Sequence, residues 1–296
     1  MPSTSSTKNK KINQTILELI LVIVLALGFG LLGGKIASGN SHSAAIDSTT
    51  WISKIKKAGV LRVGMAEDAP TISQAKDGQW QGPYTVVAAA LANELGVKVQ
   101  YVETSWANIV AGIQSDKYDL AAGLDITLPR SLAVGFTNPV TGTNNVLLVK
   151  KTANVSTVAE AESNALPIAA PQGSAQESAL KLSDKNLLSI DSFANGIQAV
   201  ISGRAIAAIV TGDTAVQTIQ SNDSLRAIVP ANPIDVSISA FGVARDIDFT
   251  SLQTINAAIS DTVYSGQVSA SYTQANIPSE IQDGRVVPVV PQQYQK

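Results

Sequence analysis

Cysteine is absent from all 296 residues, and histidine occurs once, at His42 in a Ser/Asn/Gly-rich stretch. The first absence excludes disulfides, thiolate metal sites, a cysteine nucleophile and a lipid-modified N-terminal cysteine. The second removes a Ser-His-Asp triad from any folded body. Aromatic residues make up 5% of the chain and charged residues 15%, with a net charge of -2 and no basic face evident. A nucleic-acid partner needs a basic face or a set of stacking rings, and neither is present. What the chain does have is 45% hydrophobic content, enough for a substantial core, in a length compatible with two domains.

The first residues are polar and basic, with Lys8, Lys10 and Lys11, and precede an apolar run from Ile16 to Leu32 broken only by Glu18. Positive charge ahead of such a run predicts an N-terminus held inside and a remainder that is exported. The run lies at the lower edge of a membrane span, so residues 1–37 read as an export signal or a retained anchor. Residues 38–50 form a small-residue linker.

From Trp51 onward, apolar periods of four and of two alternate. A short amphipathic helix stops at Gly59, and Val60 to Val63 reads as a strand. Val86 to Leu95 is an Ala-rich helix capped by Gly96, Val97 to Val102 a strand, Trp106 to Ile113 a helix and Leu120 to Gly123 a third strand. A break is expected at Asn138-Pro139 and Thr141-Gly142-Thr143, before a strand over 146–150. The same alternation restarts after residue 155 and runs through strands near 168–170, 187–190, 205–210, 225–229 and 236–243 to a helix over 252–264 that stops at Gly266. This βαβ order predicts an α/β protein with parallel, doubly wound sheets.

The chemistry concentrates where strands end. Leu120 to Ala122 runs into Gly123 and a polar turn carrying Asp125, Thr127 and Arg130, with Pro129 suited to the first turn of a helix. Open α/β sheets place ligands at such strand ends. An arginine there, beside helix N–H groups, can hold a carboxylate in two-point fashion. A plain turn with a solvated arginine is the competing interpretation. A second small-residue turn, Pro171 to Ala175, sits in the matching place of the second half, and a cleft between two such units is a favoured position for a small ligand. Asp213 can serve as a ligand group or as the cap of the helix after it. Asp125 can take an ammonium group or pair with Arg130. Trp106 can wall a pocket or merely pack.

Gly59-Val60-Leu61-Arg62-Val63-Gly64, Ala90 to Gly96, Trp106-Ala107-Asn108-Ile109 and Lys117-Tyr118-Asp119-Leu120 continue into Gly123 to Arg130 and Phe136 to Pro139. With Gln172-Gly173-Ser174, Ser202-Gly203-Arg204 and Phe241-Gly242-Val243, this ordered set resembles the extracytoplasmic solute-binding proteins of amino-acid ABC transporters. The resemblance covers roughly residues 55–277. It implies a periplasmic-binding-protein-like type II fold of two doubly wound α/β lobes joined by two hinge crossings, near 140–145 and 236–241. Lobe 1 would comprise 51–142 and 239–277, lobe 2 residues 143–238, and the tail 278–296.

The resemblance also implies capture of a small amino acid or related carboxylate by hinge closure, outside the cytoplasm, for delivery to an ABC permease, with no cofactor or metal and no catalysis. Arg130 would bind the ligand carboxylate with Thr127 and the backbone at Gly123, Ser174 would add its N–H and hydroxyl from lobe 2, and Trp106 would wall the pocket. Asp68, in the loop after the first strand, joins the ligand-binding set. Where such proteins carry an acid for the ammonium group, this chain has Thr211, with Asp213 two residues on and Asp125 as the other candidate. A membrane-tethered sensor and a dehydratase-type enzyme, with Asp125 or Glu67 as its acid, are the alternatives on the same scaffold.

Overall fold

The computed structural model describes residues 50–180, 186–231, 234–277 and 290–296. The expected signal or anchor over 1–37 and nearly all of the linker lie outside the described residues. Among the described residues no helix is long and apolar enough to cross a membrane.

Helix α1 (Trp51–Ala58) is capped by Thr50, whose hydroxyl accepts from Ser53 N–H, and it buries Ile52 and Ile55. It leads into β1 (Val60–Met65), the centre of a parallel set with β4 (Lys98–Glu103) on one side and β5 (Leu120–Asp125) on the other. Between these run a small hairpin, β2 (Ser73–Gln74) and β3 (Trp80–Gln81), and two helices, α2 (Pro83–Leu95) and α3 (Ile109–Gln114). Tyr118, 1% exposed, fills the space left by two missing side chains: a Cβ on Gly64 or Gly112 would lie within 2.6 or 2.1 Å of its ring or hydroxyl. Its hydroxyl donates to the Ile109 carbonyl at 2.6 Å, which fixes α3 to the strand that follows.

After the single turn of α4 (Leu128–Ser131), the chain enters β6 (Gly135–Lys150), 16 residues long. The break expected at Asn138 to Thr143 is not there. Pro139 pairs opposite Ala240 of β11 (Val236–Val243), where the register slips on both sides of Ala240. A proline, which lacks an N–H, is accommodated in a strand at such a bulge. The two threonines suit the strand that continues beyond it.

The second half holds α5 (Val158–Glu162), β7 (Ile168–Pro171), α6 (Ala175–Leu180), β8 (Leu187–Ile190), α7 (Phe193–Ser202), β9 (Ala207–Thr211), α8 (Gly212–Ser221) and β10 (Leu225–Ile228). The sheet order is β4-β1-β5-β11-β6-β9-β7-β8, with β10 paired to β6. Each lobe keeps a parallel trio, β4-β1-β5 and β9-β7-β8. The expected all-parallel sheets are nevertheless mixed, because β11 runs antiparallel to β5 and β6, and β6 antiparallel to β9 and β10.

The register shows where the chain passes between lobes. Residues 135–144 of β6 pair with β11, while Asn145 to Val149 pair with β9. From there the strands are apolar on both faces. Val146 and Leu148 join the large core that runs through both lobes, and Leu147 and Val149 a second core with Ile168, Leu180 and Ile209. In the first lobe α2 packs against α9 (Phe249–Tyr264) and α10 (Gln267–Gln274). The helix expected over 252–264 stops before Gly266, as its pattern marks, and Gly266 then occupies the N-terminal cap position of α10. That helix is short and polar, with only Val268 and Tyr272 buried, one turn apart. The tail also packs: Val290 is 2% exposed, and the Tyr294 hydroxyl accepts from Gln220 of α8.

Candidate functional site

The turn after β5 is built around Thr127. Its hydroxyl caps α4 by accepting from Arg130 N–H at 3.4 Å, which turns the Arg130 side chain back over the end of β5. The guanidinium donates from Nη1 to the Asp125 carbonyl at 3.2 Å and from Nη2 to the Gly173 carbonyl at 3.0 Å. Gly173 belongs to the other lobe, so Arg130 spans the cleft. Burial lowers its proton affinity, opposed by the charges of Asp125 and Asp235.

Gly173 has φ +76°, and a Cβ there would lie 2.7 Å from Ala107 Cα. The backbones of the two lobes touch at this point, and only glycine combines that angle with that approach. Gly173 N–H donates to Glu177 Oε2 at 2.7 Å, while Ser174 Oγ accepts from Glu177 N–H at 3.0 Å. Ser174 thus caps the start of α6, and the Glu177 carboxylate holds the residue before the cap. Ser174 N–H, expected to face the ligand, donates to the Pro171 carbonyl at 3.0 Å.

Trp106 precedes α3 and is 7% exposed. Its ring meets Phe193 of the other lobe edge-on, with centroids 6.3 Å apart, and its buried Nε1 has no partner. At Gly123 (φ +69°) an added Cβ would fall 2.6 Å from Ile72 Cδ1 and 3.6 Å from the Trp106 ring. The strand end is therefore kept bare beneath the indole.

Asp125 is 7% exposed and fully engaged. Oδ1 accepts from the Ser239 hydroxyl, and Oδ2 accepts from Ser237 Oγ at 3.1 Å and from Gln176 Nε2 at 3.2 Å. Gln176 Nε2 also lies 3.2 Å from Asn145 Oδ1, and Asn145 Nδ2 donates to Ser237 Oγ at 3.1 Å. This network joins the end of β5 through β11 and β6 to α6, across the hinge. Burial raises the Asp125 pKa, with the Ser239 hydrogen bond and the Arg130 charge opposing. The period of two over 236–243 places Ser237 and Ser239 on one face, so these partners leave a sequence signal. Gln176 and Asn145 leave none.

The acids gather at the other end. Asp213 is not the cap of α8: Thr211 holds the cap position, and Asp213 is the second helical residue, 2% exposed. Its Oδ2 accepts from Thr71 Oγ1 at 2.7 Å, and its buried Oδ1 has no hydrogen-bond partner. Thr214 Oγ1 reaches Asp68 Oδ1 at 2.9 Å and the Ala69 carbonyl at 2.6 Å, and lies 2.7 Å from Thr211 Oγ1. Burial and the charge of Asp213 push the Asp68 pKa well up. Thr71 is thus a contact between the lobes.

A cavity of about 70 Å³ adjoins this cluster, lined by Glu67, Asp68, Phe193, Ile197, Thr214 and Gln217 among others. A larger, open groove of about 740 Å³ lies against α1, lined by Lys54, Arg62, Asp119, Arg245 and Asp248 among others. Two of its charges neutralise each other, with Arg62 Nη2 2.6 Å from Asp119 Oδ1. Among the described residues no group of three His, Asp or Glu side chains is placed to hold a metal ion.

Two α/β lobes sharing a pair of antiparallel connecting strands, with strand-end groups meeting between them, define the periplasmic-binding-protein fold. The chain belongs to the bacterial extracellular solute-binding proteins, family 3, whose pattern matches residues 61–275. It is 25% identical over 197 residues to a probable amino-acid ABC transporter periplasmic-binding protein of Sinorhizobium fredii, a stretch covering 64% of this chain and 65% of that protein. It is also 25% identical over 204 residues to a cyclohexadienyl dehydratase of Pseudomonas aeruginosa, covering 67% and 76% of the two. Among solved structures, an amino-acid ABC transporter substrate-binding protein of Streptococcus pneumoniae bound to L-arginine superposes with a TM-score of 0.67 at 28% identity, over 76% of this chain and 99% of that one.

Proposed function

We propose that this protein captures an amino acid outside the cytoplasm by closing its two lobes, and delivers it to an ABC transporter permease. The observation that carries this reading is Arg130, whose guanidinium crosses the cleft to the Gly173 carbonyl. A ligand carboxylate entering between the lobes takes the place of that carbonyl and receives a charge-assisted pair of hydrogen bonds. Thr127 holds Arg130 in place through the α4 cap, Trp106 and Gly123 shape the wall, and the Ser174 turn supplies the opposing lobe. The N-terminal apolar run tethers the protein to the membrane or directs its export, and the relatives that serve amino-acid ABC transporters support the permease as partner.

Titration calorimetry against a panel of amino acids tests the reading. One-site binding is expected, weakened about a hundredfold or more by Arg130→Ala, the scale for removing one partner of a buried charged pair. Binding of no amino acid by the unaltered protein would refute it. A dehydratase reading has one specific support: Asp68 and Asp125 both hold protons more tightly than ordinary carboxyls, as a general acid must. Incubation with a cyclohexadienyl substrate separates the two, and no aromatic product is expected.

A further inference from the structure

Helix α8 belongs to the second lobe, yet it is held outside the cleft by parts of the chain that follow the last hinge strand. At its first residue, Gly212, an added Cβ would lie 3.1 Å from Thr143 Oγ1, 3.4 Å from the Asn144 carbonyl and 3.6 Å from a methyl of Val290. Val290 is 2% exposed, so the start of α8 is pressed between the crossing strand β6 and the tail. At the other end of the helix, Gln220 Nε2 donates to the Asn276 carbonyl at 3.1 Å and to the Tyr294 hydroxyl at 3.2 Å. A side-chain amide nitrogen carries two hydrogens, one for each acceptor.

Both acceptors are fixed by their own surroundings. Asn276 follows α10 with φ +57°, a left-handed conformation that asparagine tolerates. Its N–H donates to the Thr273 carbonyl and Ile277 N–H to the Tyr272 carbonyl, each at 3.0 Å. These two bonds are a Schellman motif, which sets the position of the Asn276 carbonyl at the end of the first-lobe helix. Residues 290–296 fold on themselves. Tyr294 N–H donates to the Pro291 carbonyl at 2.9 Å, and Gln295 Nε2 to the Val290 carbonyl at 2.7 Å. The 3₁₀ turn Gln292–Tyr294 thus keeps Val290 and Tyr294 at a set spacing, one for each end of α8.

We propose that residues 290–296 are a strap that holds α8 against the first lobe and biases the molecule towards its closed arrangement, with Gln220 as the joint between α8, α10 and the strap. The inference rests on the lobe closure proposed above and on no particular ligand. The first turn of α8 carries Asp213 and Thr214, which meet Thr71, Asp68 and Ala69 across the cleft. A short helix moves as one body, so a hold on its far end acts on these contacts. The Val290 contact sits beside the crossing, where β6 changes partners between Asn144 and Asn145. Displacement on opening is smallest there, and the strap stays anchored. The Gln220–Asn276 bond joins helices of different lobes, and opening breaks it. It lies outside the cleft and forms without a ligand.

The chain has no cysteine, so a pair of nitroxide labels can be placed uniquely. Gln79→Cys in the first lobe and Asn195→Cys in the second are both at exposed positions, and pulsed electron spin resonance reads their separation. The ligand-free parent is expected to show a closed population. Removing residues 291–296, which leaves Val290 in place, should raise the ratio of open to closed molecules about tenfold, the scale of one or two lost hydrogen bonds. Gln220→Ala, at an exposed helical position, should raise it in the same direction. A ratio in Gln220→Ala equal to the parent's overturns the proposal, whether or not the shortened chain folds and whatever happens to the melting temperature. A ligand-free parent that is wholly open also overturns it. The standard amino acids, added one at a time, separate this inference from the reading beneath it. If one of them shortens the label distance while Gln220→Ala changes nothing, the strap falls and lobe closure stands. A single distance in every sample, with or without amino acid, refutes both.

Discussion

At Gly173 a single hydrogen atom in place of a methyl group decides whether the lobes can meet. Gly173→Ala would push Cβ against the Ala107 backbone and place a side chain at φ +76°. The expected result is at least tenfold weaker ligand binding by calorimetry, with a larger ligand-bound radius of gyration by X-ray scattering. An affinity unchanged by the substitution would place closure elsewhere. Asp213 presents the reverse case, a residue whose position in the chain suggests a local cap and whose role is set by the other lobe. The caps that are present involve neighbours in sequence, such as Thr127 with Arg130 and Ser174 with Glu177. Such contacts are legible in the amino-acid order because both partners sit within four residues. The Thr71–Asp213 bond spans 142 residues, and no local pattern announces it.

Among the elements, strands bounded by glycine and polar turns are the most readable, and β8 and β11 run over the residues their apolar patterns mark. The clearest departure among them is a local breaker overridden by its tertiary surroundings. Pro139 and Gly142 look like a loop in sequence, yet pairing with β11 carries a strand through both. Gly266 marks the end of α9 as its sequence suggests and also caps the start of another helix. Interactions between elements also predict stability. Asp248 caps α9 by accepting from Ser251 N–H at 2.9 Å, and its Oδ2 accepts from Trp51 N–H at 2.9 Å, tying α1 to the same helix. Asp248→Ala is expected to cost about 1–2 kcal/mol, as loss of a cap typically does. Urea unfolding followed by circular dichroism checks it, and a midpoint unchanged from the parent would count against the cap.

For the whole molecule, the buried acids set the pH response. Burial raises the pKa of both Asp68 and Asp125. The folded form therefore holds these protons more tightly than the unfolded chain, in which carboxyls titrate near pH ~4. Their contribution is fully present below that ordinary value and is lost as pH rises through the raised folded pKa. The ligand-free protein is accordingly expected to melt at a higher temperature at pH 5 than at pH 8 by scanning calorimetry. Asp68→Asn should flatten that slope, because the amide carries no charge to desolvate. A melting temperature that falls on acidification over this range would show that other groups dominate. The raised values are not legible in the sequence, since Asp68 and Asp213 belong to distant stretches of the chain and become neighbours only where the two lobes meet.

The crossing between lobes has a consequence for how such a molecule can be rebuilt. Asn145 N–H donates to the Asp235 carbonyl at 3.3 Å, and Asn144 pairs with Val236. The second lobe therefore departs and returns at adjacent points, like a cassette plugged into one socket. A segment with neighbouring ends can be exchanged for another of the same spacing without rethreading its host. Replacing the interior of this cassette with that of a relative should yield a chimera that retains the Arg130 end of the site and acquires the donor's preference at Phe193, Asp213 and Thr214, giving an exchangeable reader on a constant frame.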